Sequence, residues 1–205
     1  GIDGATLIRA LPMYDEMRVE LMAGQYLDVY EQALASESVE RSLKVARYKS
    51  GKYTIERPLH FGAALGGGKP NLFSTYSDYG LPLGEAFQLR DDILGIFGDP
   101  IETGKPAGDD LREGKRTVLL AKVMELADAD QKAEISSTLG NQNLEIAQVD
   151  KVREIFIATG ALSQVEELIS TLTSSAQSAL EHGEIDPMAK SALTQLLTIV
   201  TQRKL

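Results

Sequence analysis

Apolar residues return every three or four positions through most of the chain, and few stretches alternate as a half-buried strand does. Leu7, Ile8 and Leu11 follow this spacing, as do Met17, Leu21 and Met22, and later Leu162, Val165, Leu168 and Ile169. Side chains three and four apart share one helix face, so the pattern dictates amphipathic helices that bury those faces together. The expected fold class is all-α. With 205 residues, 43% of them hydrophobic, the chain carries enough apolar surface for one substantial core, and a single domain over 1–205 is expected.

Breakers divide the helical pattern. Gly66, Gly67 and Gly68 precede Pro70, Gly98 follows a helix expected over 81–97, and Gly140 marks a further break. Asp186 followed by Pro187 has the order of an N-cap and a first helical residue. The stretch DPIETGKPAGDDLREGKR, 99–116, reads as the longest irregular segment, and long loops inside compact domains often carry function. No internal repeat or low-complexity linker interrupts the chain.

Charge and composition exclude several chemistries. A net charge of -9 repels nucleic acid and anionic membrane, so any phosphate site must be local. The chain has no cysteine and only two histidines, which removes disulfides, thiolate catalysis and histidine-rich metal sites. No apolar run approaches the roughly 20 residues that a membrane-spanning helix needs. The expected location is the cytoplasm.

Within this frame, FQLRDDILGIFGD at 87–99 sets two adjacent carboxylates among large apolar side chains. On a helix, Gln88, Asp91, Asp92 and Gly95 fall on one stripe, with Leu89, Ile93, Ile96 and Phe97 on the other side. Carboxylates facing a shared cavity suit magnesium, which takes oxygen ligands and commonly bridges to substrate phosphate; a solvated acidic face is the plainer alternative. Lys105 and Lys115 each follow a glycine in the next loop and can fold back over the acidic helix to balance an anion, unless that loop is simply a charged surface. Gln25 and Asp28 in GQYLD share a helix face, and in YKSGKYT Lys49 and Ser50 precede Gly51, which weakens the helix and releases backbone groups. His60, His182, Tyr76 and Tyr79 are read as structural side chains.

In combination these stretches resemble the trans-prenyl diphosphate synthase family. The order carries the resemblance: GQYLD, YKSGKYT, HFGAALGG, GEAFQLRDDILGIFGD and GKPAGDDLREGKRT, covering most of 14–127, with details most similar to bacterial geranylgeranyl diphosphate synthases. The resemblance implies a helical bundle around a deep cavity, a homodimer, and Mg2+. It implies condensation of isopentenyl diphosphate with an allylic prenyl diphosphate to a longer trans chain. Carried over by motif, Asp91 is a metal ligand and Asp92 its supporting carboxylate on the metal side. Lys49 and Lys105 contact the allylic diphosphate, Gln88 holds the network around it, and Lys115 is a further cation. Gln25 and Asp28 line the cavity wall, and Ser50 and Phe87 complete the substrate-binding set.

Two departures stand out. The family's second acidic motif ends in a third aspartate where this chain has Gly95, and the first acidic motif is absent. The resemblance therefore implies roughly 100 further N-terminal residues in a complete enzyme, the size of a small domain. The opening Gly-Ile agrees with a C-terminal portion of such an enzyme. A noncatalytic regulatory subunit of a heteromeric synthase and a terpene cyclase are the alternative readings.

Overall fold

The computed structural model describes residues 1–201, apart from the side chain of Thr103. Among the described residues there is no strand, and the all-α expectation holds. The helices run α1 (Gly4–Ala33), α2 (Val39–Ala46), a π-helix (Arg47–Glu56), α3 (Arg57–Leu65), α4 (Pro70–Phe97), α5 (Pro100–Thr103) and α6 (Asp109–Glu113). They continue as α7 (Val118–Leu126), α8 (Ala129–Thr138), α9 (Ile146–Ala158), α10 (Ala161–His182) and α11 (Pro187–Thr201). No single helix among them is long and apolar enough to cross a membrane. The described residues gather into two compact units. One takes in Gly1–Leu27, Lys44–Gln88 and 169–201; the other takes in Asp28–Leu43 and Leu89–Leu168.

In the first unit, Ile55, Tyr79, Leu83, Ala176, Leu180, Leu193, Leu197 and Val200 form one buried cluster. Tyr79 is large enough to fill the centre and hides its one polar atom by donating to the Leu193 carbonyl at 2.8 Å. The structural reading of Tyr79 is thus supported. Asp186 starts α11 as its spacing predicts, its Oδ1 accepting from the Met188 amide at 2.9 Å.

The helix expected from Leu81 begins earlier, at Pro70, and carries Pro82 in its interior. Local sequence argues against this, since Gly80, Pro82 and Gly84 all weaken a helix. Packing overrides the local preference. A Cβ on Gly80 would stand 2.8 Å from the Glu56 Cα, and one on Gly84 would overlap the Gly51 Cα. The two glycines let α4 and the π-helix approach backbone to backbone, and the buried Tyr79 and Leu83 reward the continuous helix. Gly24 does the same for α1, where a Cβ would lie 2.8 Å from the Lys49 nitrogen.

Between these glycine contacts the chain of YKSGKYT winds as a π-helix rather than merely fraying at Gly51. Its last turn closes with the Arg57 amide donating to the Lys52 carbonyl, five residues back. Wide turns of this kind leave backbone groups poorly matched and are frequent at functional sites.

His60 is buried in the same unit. Its Nδ1 lies 3.2 Å from an Arg57 nitrogen and its Nε2 3.0 Å from the Phe73 carbonyl. Since Arg57 can only donate, the imidazole is neutral with its proton on Nε2. Burial pushes its pKa down, and a structural role agrees with the sequence reading.

The second unit buries Leu89, Ile93 and Ile96 of α4 with Leu111, Leu119, Val123, Ile135, Val149, Val152 and Phe156. The far side of α4 is therefore apolar, as its spacing indicates. Arg90 leaves this face in a two-pronged ion pair with Glu166, at 2.6 and 2.7 Å. The segment read as irregular over 99–116 holds two short helices. Asp99 caps α5 by accepting from the Ile101 amide at 2.8 Å, and α6 lies between Gly108 and Gly114, both with positive φ. A run of fewer than six helical residues leaves too little periodicity for sequence to reveal it.

Candidate active site

The acidic stripe begins in the first unit, where α4 contributes residues up to Gln88. There the Ser50 hydroxyl of the π-helix donates to the Gln88 side-chain carbonyl. The approach of Gly51 and Gly84 allows this: with both Cβ atoms missing, neighbouring residues on the two helices come within hydrogen-bond reach. Lys49 and Phe87 flank the pair in sequence and are half-buried. Gln25, one residue beyond the Gly24 contact, is exposed. Four of the substrate-binding candidates, Lys49, Ser50, Phe87 and Gln88, thus stand on two helices whose spacing is fixed by glycine.

In the second unit the stripe continues with Asp91, half-buried, and Asp92, which is 3% exposed. Charge burial on this scale requires a partner. Lys115 provides it: its ammonium lies 3.1 Å from Asp92 Oδ1 and 3.2 Å from Asp110 Oδ2. Local backbone delivers that lysine. Gly114, at φ 69, ends α6 in the left-handed conformation, and the Lys115 amide turns back to donate to the Asp110 carbonyl at 3.0 Å. Residues 110 and 115 are thereby held side by side, with their charged ends against α4.

The electrostatics follow from burial and pairing. Burial pushes the Asp110 carboxyl up and Lys115 pulls it back in part, leaving it at about 6. For Lys115, burial alone would lower the pKa; the Asp92 and Asp110 charges outweigh it and raise the ammonium well above the ordinary range. The sign for Asp110 is fixed by linkage. Its folded state keeps the proton longer than the unfolded state, so this group's contribution to stability falls as the pH rises from about 4 to about 6. Asp110→Asn cannot ionise. In metal-free buffer its Tm relative to the parent is expected to rise across that interval, read from parallel thermal melts at stepped pH.

Lys105 stands apart from this buried cluster. Its side chain is 63% exposed and pairs with Asp109 at 3.3 Å, one turn along the same loop. Exposure leaves a long cation able to swing toward an anion, at little energetic loss from a surface pair. Asp28, at the end of α1, is buried and accepts from Gln32 at 3.3 Å.

Of the sequence candidates, the structure brings Ser50 to Gln88 and Lys115 to Asp92. Lys115 is a half-buried counterion to Asp92 and Asp110. Asp110 is absent from the candidates because in sequence it is one of several loop charges. Its signal is the five-residue spacing to Lys115 across a glycine, which becomes informative only once Gly114 is known to reverse the chain.

Fold and site together define an all-helical protein whose acidic helix is clamped by a loop lysine. The family model described as polyprenyl synthetase matches residues 4–156, and the chain belongs to the polyprenyl synthetase family. It is 33% identical to the geranylgeranyl diphosphate synthase of Saccharolobus solfataricus over 159 residues, 76% of this chain and 46% of the relative. The geranylfarnesyl diphosphate synthase of Aeropyrum pernix is 29% identical over 204 residues, 99% of this chain and 63% of the relative. Among solved structures, the geranylgeranyl pyrophosphate synthase of Corynebacterium glutamicum, complexed with isoprenyl diphosphate and magnesium, superimposes with a TM-score of 0.95 at 42% identity. That match covers 100% of this chain and 58% of the other. The chain thus spans about half to two thirds of the length of the relatives it matches.

Magnesium is implied by this family, and the donor set can be tested for it. Among the described residues no group of three acidic, histidine or cysteine side chains gathers as a self-sufficient metal site. Asp92 is already neutralised by Lys115, and Gly95 offers no ligand. Asp91 does fit: magnesium retains several waters and is commonly held by one or two carboxylates plus substrate phosphate.

Proposed function

We propose that this chain forms the diphosphate-ionising part of a magnesium-dependent trans-prenyl diphosphate synthase. In this reaction an allylic prenyl diphosphate loses diphosphate, the isopentenyl double bond attacks the resulting cation, and proton loss gives a chain one isoprene unit longer. The observation that carries the reading is the acidic stripe of α4, with Asp91 half-buried beside an Asp92 carboxylate that Lys115 neutralises. Such a stripe can meet a charged diphosphate only through a cation, because the bare Asp91 carboxylate would repel it.

Asp91 would hold magnesium. When bound, magnesium would neutralise charge building on the diphosphate oxygens as they depart. Lys105 would follow the same oxygens with its mobile ammonium. Lys49 would contact the allylic diphosphate, Gln88 would hold the network around it, and the Ser50 hydroxyl dipole would ease the developing positive charge. The ion pair of Lys115 with the buried Asp92 would hold this part of α4 in place during ionisation. A geranylgeranyl product follows the named relatives, and homodimerisation and a cytoplasmic location belong to the same reading.

The test is chain elongation by the intact protein supplied with radiolabelled isopentenyl diphosphate, farnesyl diphosphate and magnesium. A product one isoprene unit longer, abolished by chelator and restored by magnesium, is expected. Binding of both substrates without turnover would instead favour the regulatory-subunit reading, and a cyclised hydrocarbon product the cyclase.

A further inference from the structure

The π-helix runs for 10 residues, Arg47–Glu56, although wide turns in proteins seldom extend beyond a single turn. Contacts from outside the segment must hold it. Glu20 of α1 reaches it with both carboxylate oxygens: Oε1 accepts from the Lys52 ammonium at 2.5 Å and from an Arg57 nitrogen at 2.9 Å, and Oε2 accepts from Arg57 Nε at 2.7 Å. The Glu20, Lys52 and Arg57 side chains are 14%, 17% and 11% exposed, so water competes little for these bonds. Burial alone would raise the Glu20 carboxyl; the hydrogen bonds from Arg57 and Lys52 outweigh it, hold it below the usual carboxylate range and keep it ionised. Arg57 has a second acceptor in Glu16 at 3.0 Å, whereas the Lys52 ammonium gives its hydrogen bond to Glu20.

Lys52 and Arg57 are separated by the step of the wide turn itself, which the Arg57 amide closes on the Lys52 carbonyl. In a π-helix that spacing stacks two side chains on one face, while on an α-helix it turns them about 140° out of step. One carboxylate can therefore grip both cations only while the turn is wide. We propose that Glu20 is a positioning residue: through Lys52 and Arg57 it selects the wide turn over the α-helical one, and so fixes where Lys49 and Ser50 stand against Gln88. The inference rests on the synthase reading above and adds to it a residue that acts through Lys49 and Ser50. Without the grip the segment tightens toward α-helical spacing, which rotates both residues and breaks the bond from the Ser50 hydroxyl to the Gln88 side chain.

Lys52→Met in the intact protein tests this, because it cuts one arm of the grip and leaves Glu20 paired with Arg57, which preserves the fold. Three readouts are taken: Tm, hydrogen–deuterium exchange of the amides of 47–56, and kcat/KM for elongation of farnesyl diphosphate. Tm should stay within a few degrees of the parent's, while exchange across 47–56 speeds up by about ten-fold or more and the amides of α4 keep the parent's rates. The value of kcat/KM should fall by about 10–100-fold, the scale of a displacement of about 1 Å in a positioned group. Lys52→Arg, which keeps the ion pair, should restore both. In a Lys49→Ala/Ser50→Ala background Lys52→Met should cost less than about two-fold, because its effect passes through residues already removed, whereas a merely structural loss would be additive. Glu20→Gln should reproduce the faster exchange and the lost turnover with a lower Tm; if it does not fold, Lys52→Met decides alone. Parent-like exchange or parent-like turnover in Lys52→Met, or its full loss in the Lys49→Ala/Ser50→Ala background, overturns the inference. Absence of elongation by the parent would refute the synthase reading instead, and exchange across 47–56 would still decide whether Glu20 holds the wide turn.

Discussion

Replacing Asp91 by Ala in the intact protein is expected to reduce chain elongation by about 100-fold or more, the scale of losing one preorganised electrostatic contact to a developing anion. No neighbour on the stripe can take its place. Asp92 is held by Lys115 at 3.1 Å, Gly95 has no side chain, and the Asp110 carboxylate is engaged by the same ammonium at 3.2 Å. The fold should survive, because Asp91 is only half-buried and alanine is the strongest helix former. Far-ultraviolet circular dichroism checks the fold while steady-state kinetics over a magnesium series checks the site. Near-normal turnover in this variant would remove Asp91 from the metal site.

Lys115→Met is expected to be the most destabilising single change in the site, at about 3–5 kcal/mol, because it leaves buried carboxylates without their counterion. Asp92 and Asp110 side chains are 4% and 5% exposed, so water cannot replace the ammonium. The pH behaviour gives a second check. The folded pKa of Lys115 lies above the ordinary value of 10.5, so its contribution is complete below 10.5 and lost only as the pH rises through the folded value. The penalty of the variant should accordingly hold across the neutral range. Adding Asp110→Asn to Lys115→Met removes one uncompensated charge and should recover part of the loss in denaturant titrations. A penalty under about 1 kcal/mol, the size of an exposed surface pair, would contradict the buried clamp.

The two expectations draw on different kinds of information. Asp91 is legible as a candidate because its helix is amphipathic: Leu89, Ile93 and Ile96 declare the buried face, and the carboxylates then stand out against it. Lys115 is legible as a residue near the site, but its role is not. A glycine-flanked lysine looks the same in sequence whether it reaches for a ligand or neutralises its own protein. Asp110 is illegible for the same reason, since loop acids are ordinary until a fold withdraws them from water.

Helix α4 and the π-helix draw the same boundary at the level of fold. Periodicity locates the helical half of α4 from Leu81, while Gly80, Pro82 and Gly84 conceal that it starts at Pro70. Propensity is a local quantity of a few tenths to about 3 kcal/mol per residue, and tertiary packing overrides it where backbones must touch. Gly51 signals a weak point in YKSGKYT, yet only contact with Gly84 makes that point a wide turn.

Residue order is sufficient for the all-helical class, for the breaks at 66–70, 98, 140 and 186–187, and for the acidic stripe that leads into the polyprenyl synthetase family. Each depends on short-range spacing, which a helix converts directly into a face or an end. Packing was needed to establish that Asp92 is neutralised from within, that Ser50 meets Gln88, and that Gly95 makes room for Asp110. These depend on distances between residues 15–38 apart in the chain, and side-chain type carries no record of such distances until packing sets them.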